Sequence, residues 1–225
     1  RRQRQMCIRD SSIVASRTGN YPEAKINAAI HIGEGQRLSI YFEDDNTKLE
    51  CIGFVSNYDS AAGIGGNSNE SAGNIIMYTA GTINISGGYR GAGIGGGSNG
   101  SGGKIQINGI GIVTVTGGIN AAGIGGGFYG ASGNITINTF ANMQVIGGNG
   151  AAGIGSGYNG AVESIVIDAM NILDVQGGDG GAGIGSGSEG SPGFIKINVG
   201  WQLIATGGIN ASGIGGGFNV SGGYI

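Results

Sequence analysis

The side chains of this sequence that could support acid–base chemistry are Asp44, Asp45, Asp168, Asp174 and His31, and their spacing limits what they can do. A glycosidase needs two carboxylates on opposite sides of one scissile bond. A lyase acting on an acidic sugar needs clustered acids and a basic partner. Asp44 and Asp45 are adjacent, so on a strand they point to opposite faces. Asp168 and Asp174 fall on two separate strand-like runs, with no Arg or His beside them. His31 is the only histidine and fits a surface or satisfied histidine near the end of a stack. Strings such as GIGGGFYG (123–130) have the glycine spacing of a phosphate loop, but no helix pattern and no GK[ST] follows. Calcium-binding glycine repeats carry an Asp in every copy of about nine residues; here Glu70, Glu163, Asp168, Asp174, Asp179 and Glu189 form no acidic column. The reading is of a chain without a catalytic residue, metal site or cofactor.

The remaining candidates are aromatic. Phe128, Tyr129, Tyr158 and Phe218 stand just after GIG-type segments, where other copies carry Ser or Asn. Exposed rings flanked by Asn and Ser could stack on sugar rings while the amides bond hydroxyls. Alternatively they pack on one another across adjacent coils. Tyr224, Phe194, Lys104 and Lys196 lie on or beside a strand-like run. Thr114, Thr116, Thr136 and Thr206 make no flat threonine column, which weakens an ice-binding reading.

The elements that must position these residues come from a repeat. From residue 61 the chain divides into five and a half blocks of thirty without insertion or deletion, as in AAGIGGGFYGASGNITINTFANMQVIGGNG (121–150). The fourth position is Ile64, Ile94, Ile124, Ile154, Ile184 and Ile214, and the fifteenth is Ile75, Ile105, Ile135, Ile165, Ile195 and Ile225. Positions 15/17 and 23/25 are apolar with polar or variable neighbours, the period of half-buried strands. No segment has a helical period. Each block therefore reads as three short strands: a very short AGIG, a GxIxI run and an IxV run. One block cannot bury its own face, but stacked blocks bury continuous aliphatic columns. The expected fold class is all-β, a parallel β-helix (β-solenoid) with three short strands per 30-residue coil. Pairs such as Gly117–Gly118 and Gly147–Gly148 mark turns, and Asn108, Asn138, Asp168 and Asn198 read as a ladder of hydrogen-bonded side chains at a corner.

The N-terminal residues depart from this. Residues 1–10, RRQRQMCIRD, resemble one translated frame of a sequencing adapter and are set apart as a non-native segment. Without its four basic and one acidic residue, seven basic and thirteen acidic residues remain, a net charge of −6 instead of −3. Such an acidic balance opposes binding to nucleic acid or an anionic membrane. Cys7 goes with the segment, leaving Cys51 alone and no disulfide within the chain. Residues 11–25 show no pattern. Residues 26–60 read as a diverged capping coil, since INAAIHIGEG echoes INAAGIGGG and the segment carries more charge than the later coils. The last copy stops halfway at SGGYI, so 61–225 reads as a fragment of a longer stack, with more repeats of the same chain expected beyond it.

The AGIGGG…GxIxI pattern with its AIHIGEG…LSI lead-in, over residues 26–225, resembles the glycine-rich repeats of secreted and surface proteins of gut and other anaerobic bacteria, some described as carbohydrate-binding β-helix proteins. The resemblance implies an extracellular or cell-surface location and a non-catalytic adhesin or glycan-binding scaffold. Its partner would be a polysaccharide or a host or cell-surface glycan, met at Phe128, Tyr129, Tyr158 and Phe218. The alternatives are a fragment of a polysaccharide lyase or hydrolase and a purely structural stalk.

Overall fold

The computed structural model of the chain describes residues 3–8, 12–16, 28–42, 44–54 and 60–224. Among them all regular structure is extended, and the chain coils into a parallel β-solenoid. Three strands per coil recur: β3 (Ile30–His31), β4 (Arg37–Phe42) and β5 (Lys48–Ile52), then β6 (Ile64–Gly65), β7 (Asn74–Thr79) and β8 (Thr82–Ser86). The same triplet continues as β9 (Ile94–Gly95), β10 (Lys104–Gly109) and β11 (Ile112–Thr116), then β12 (Ile124–Gly125), β13 (Asn134–Thr139) and β14 (Asn142–Ile146). It goes on through β15 (Ile154–Gly155), β16 (Ser164–Ala169) and β17 (Ile172–Gln176) to β18 (Ile184–Gly185), β19 (Phe194–Val199), β20 (Gln202–Thr206) and β21 (Ile214–Gly215).

Each strand pairs in parallel with its counterpart thirty residues on, so Ile105 faces Ile135 and Val115 faces Val145. The result is one narrow sheet of two-residue strands and two broad sheets. The first broad sheet runs from β4 to β19 and the second from β5 to β20. Both extend at the N-terminal side, by β1 (Gln3–Ile8) on β4 and β2 (Ser12–Ser16) on β5. These strands lie in the adapter-like segment and in the stretch without a legible pattern. A ladder is made by main-chain groups, so an open edge accepts an extended backbone whatever sequence it carries.

Strand alternation sends one aliphatic set inward. Ile64, Ile75, Met77, Ile83 and Ile85 of one coil are all buried, as are their counterparts Ile94, Ile105, Ile107, Val113 and Val115. Each burial contributes about 1.5–3 kcal/mol, and because the columns are continuous, every coil shields its neighbours. From β6 onward the second residue of each narrow strand is a glycine for a definite reason, whereas His31 holds that place in β3 at the end of the sheet. Gly125 holds φ at 131°, and a Cβ there would land on the carbonyl oxygen of Gly155 in the next coil. Inside the stack, the narrow strands therefore need glycine at that place.

Candidate functional site

The turn after each narrow strand builds the aromatic corner. Its ninth-position residue adopts a left-handed conformation in all six copies: Asn69, Asn99, Tyr129, Asn159, Glu189 and Asn219 have φ between 54° and 60°. Asn tolerates this region and fills four of the six places, whereas a bulky ring there is strained. The eighth-position column is Ser68, Ser98, Phe128, Tyr158, Ser188 and Phe218. Tyr129 therefore sits one place along the turn from the column that Phe128, Tyr158 and Phe218 share.

Three of the four expected aromatics meet. The Phe128 and Tyr129 ring centroids are 3.8 Å apart with planes tilted by 41°. Tyr158 lies 6.0 Å from Phe128 at a 23° interplanar angle, and 5.9 Å from Tyr129 edge-on. Phe218 is outside the cluster, two coils beyond Tyr158, with Ser188 in the column between them. The Arg90 guanidinium stands 4.4 Å over the Phe128 ring, a cation–π contact. Phe128 is thus half-buried between a cation and two rings, while Tyr129 is 51% exposed and is the ring of the cluster most open to solvent. The Tyr158 hydroxyl donates to Glu189 Oε2 at 2.7 Å. That bond to a carboxylate holds the phenolic proton and raises the Tyr158 pKa above its ordinary value, with burial adding to the shift. The assembled ridge therefore consists of Arg90, Phe128 with Tyr129, Tyr158 and Glu189.

Three of the candidate acid–base residues, Asp44, Asp168 and His31, have local partners. Asp44 Oδ1 accepts the Asn46 N–H and the Thr47 hydroxyl, each at 3.0 Å, which makes it a turn-forming residue. Asp168 lies in β16 and accepts the Asn198 amide at 3.0 Å, whereas Asp174 lies in β17 of the other broad sheet. His31 Nε2 and Glu70 Oε2 are 2.7 Å apart, and the same carboxylate oxygen accepts the Asn67 N–H at 3.2 Å. These contacts tie the coil of residues 28–54 to the first repeat. Cys51 is buried, which pushes its thiol pKa up to about 12, with the Glu50 charge adding to the effect.

Of the expected side-chain ladder at Asn108, Asn138, Asp168 and Asn198 only the Asn198–Asp168 bond forms; Asn108 donates instead to the Met77 carbonyl at 3.2 Å. A further Asn contact lies in the left-handed column, where Asn99 donates to Asn69 Oδ1 at 2.8 Å. Phe194 and Tyr224 are in-register neighbours, both exposed, at the far end of the first broad sheet.

A second apolar ridge escapes the sequence reading. Ile110, Phe140 and Met170 form one column at the corner between the two broad sheets, and they are 53%, 59% and 41% exposed. Equivalent Ala80 is buried. The signal was available at the twentieth position of the repeat, where apolar residues break the alternation of the strands on either side. No family model matches this chain, and neither the curated proteins nor the solved structures contain a match to it.

Proposed function

We propose that this chain is a non-catalytic glycan-binding scaffold of an extracellular or cell-surface adhesin, in keeping with the secreted glycine-rich repeat proteins its sequence resembles. The observation that carries the reading is Tyr129. An exposed ring occupies a left-handed position that Asn or Glu fills in every other copy. Strain of this kind at one copy of a repeat is a sign of use rather than of folding. Tyr129 offers a face for a sugar ring, the Tyr158–Glu189 pair offers a bound hydroxyl and carboxylate, and Arg90 with Phe128 supplies a rigid backing.

The purely structural stalk is favoured by one specific contact, the covering of Phe128 by Arg90 and its neighbouring rings. A glycan array separates the two readings. The double variant Tyr129→Asn/Tyr158→Ser writes in the residues that Asn99 and Ser98 hold at the same two positions of the coil 91–120, so the turn geometry is preserved. Binding to an array glycan that is lost in this variant supports the scaffold. An array without signal for the unaltered chain leaves the stalk.

A further inference from the structure

The outer face of the second broad sheet carries a shallow groove of about 260 Å³ that crosses β11, β14 and β17. Its apolar walls are Ile112 and Ile172, its polar groups are Thr114, Asn142, Gln144 and Asp174, and the exposed Ile110–Phe140–Met170 ridge lies along the adjoining corner. These residues sit in the middle of the stack with coils on both sides, so their exposure belongs to the face itself.

On the first broad sheet some outward polar groups pair with one another: Gln106 donates to Asn108 at 3.1 Å, Asn134 to Glu163 at 3.4 Å and Asn198 to Asp168 at 3.0 Å, whereas the side chains of Thr136 and Asn138 bond to no described residue. On the second, the side chains of Thr114, Asn142, Gln144 and Asp174 make no hydrogen bond to any described residue. Their donors and acceptors are presented outward beside an apolar strip. Exposed apolar patches rimmed by polar groups mark interaction surfaces.

We infer that this groove and ridge bind an extended neutral polysaccharide lying along the solenoid axis. This inference rests on the glycan reading above but assigns binding to a different face. The chemistry fits an uncharged sugar chain: carbon–hydrogen faces lie on Ile112, Phe140 and Ile172, and hydroxyls meet the amides of Asn142 and Gln144. Asp174 is the only acidic side chain among the groove residues and no basic side chain lines the groove, which disfavours a polyanionic sugar. Successive coils rise by about 4.8 Å, close to the length of one pyranose unit in an extended chain. A groove crossing three strands therefore spans about two units. Its volume falls below the ~300–1,000 Å³ of a pocket that encloses a whole small ligand, so it suits a segment of a polymer.

Native affinity electrophoresis through gels containing hydroxyethylcellulose or galactomannan, with polygalacturonate as the acidic control, tests this. The unaltered chain should be retarded by a neutral polymer and not by polygalacturonate. Phe140→Ser/Asn142→Ala should weaken that retardation about ten-fold, the loss of about 1.4 kcal/mol, with an unchanged melting curve because both residues are exposed. Thr136→Ala, on the outer face of the other broad sheet, should leave it intact. Retardation lost only in Tyr129→Asn/Tyr158→Ser, or as strong in Phe140→Ser/Asn142→Ala as in the unaltered chain, overturns this site while the glycan reading stands. Retardation by polygalacturonate alone overturns the neutral ligand class. No retardation by either neutral polymer overturns the inference, and a silent glycan array beside it removes the glycan reading as well. A sedimentation coefficient that falls in Phe140→Ser/Asn142→Ala with unaltered retardation marks the face as a contact between copies, which also overturns it.

Discussion

Asn159 shows what the left-handed turn position asks of a residue. Its φ is 54°, and its side chain is exposed. Replacement by Ala should cost about 1–2 kcal/mol in urea unfolding, the penalty for a Cβ in that region, while Asn159→Gly should stay within about 0.5 kcal/mol. Equal effects of the two would remove conformational strain as the reason for the Asn column and weaken the argument from Tyr129. Cys51 gives a prediction in pH. Its thiol is neutral in the folded chain up to about pH 12 but ionises near 9.0 when exposed by unfolding. The folded pKa is raised, so its contribution to stability is complete below pH 9 and is lost as pH rises towards 12. Thermal melts of the unaltered chain should therefore fall more steeply above pH 9 than those of Cys51→Ala. Parallel curves would show that burial does not control this thiol.

A single strand separates core from surface within two residues. Ile135 and Thr136 are adjacent in β13, one buried and one exposed. Ile135→Ala should destabilise by about 2–5 kcal/mol through lost burial and the cavity left in the column, and Thr136→Ala by no more than about 0.5 kcal/mol. Gly125→Ala belongs to the same scale, because its Cβ would strike the main chain of the next coil and part β12 from β15. That variant should be destabilised more than Asn159→Ala, which meets strain without a clash. These strands are legible in the sequence because their inward columns repeat Ile, Met, Val and Leu at a period of two. The strand Gln3–Ile8 is not legible, because its place comes from main-chain pairing at an edge and not from a pattern of its own.

For the whole molecule, the register of thirty is the property to test. Removing residues 91–120 joins two coils in phase, so the shortened chain should keep its β circular dichroism and a cooperative melt at a lower temperature. Deleting Gln144 alone shifts Val145 and Ile146 by one place and turns the rest of β14 inside out. The smaller deletion should be the more damaging, with loss of cooperative melting. The opposite order would mean that coils fold independently of their neighbours.

Coil length, the three-strand coil and the inward columns were determined by the sequence alone, because identical apolar positions at a fixed spacing leave stacking as the way to bury them. The aromatic corner was legible only as a set of residue types. Which rings touch depends on turn geometry: the left-handed ninth position draws Tyr129 onto Phe128, Arg90 at the end of block 61–90 covers the same ring, and Phe218 is left two coils beyond Tyr158. The groove over β11, β14 and β17 was decided by tertiary structure too. Ile112, Asn142 and Ile172 are thirty residues apart in the chain and become one surface only when parallel pairing sets them side by side.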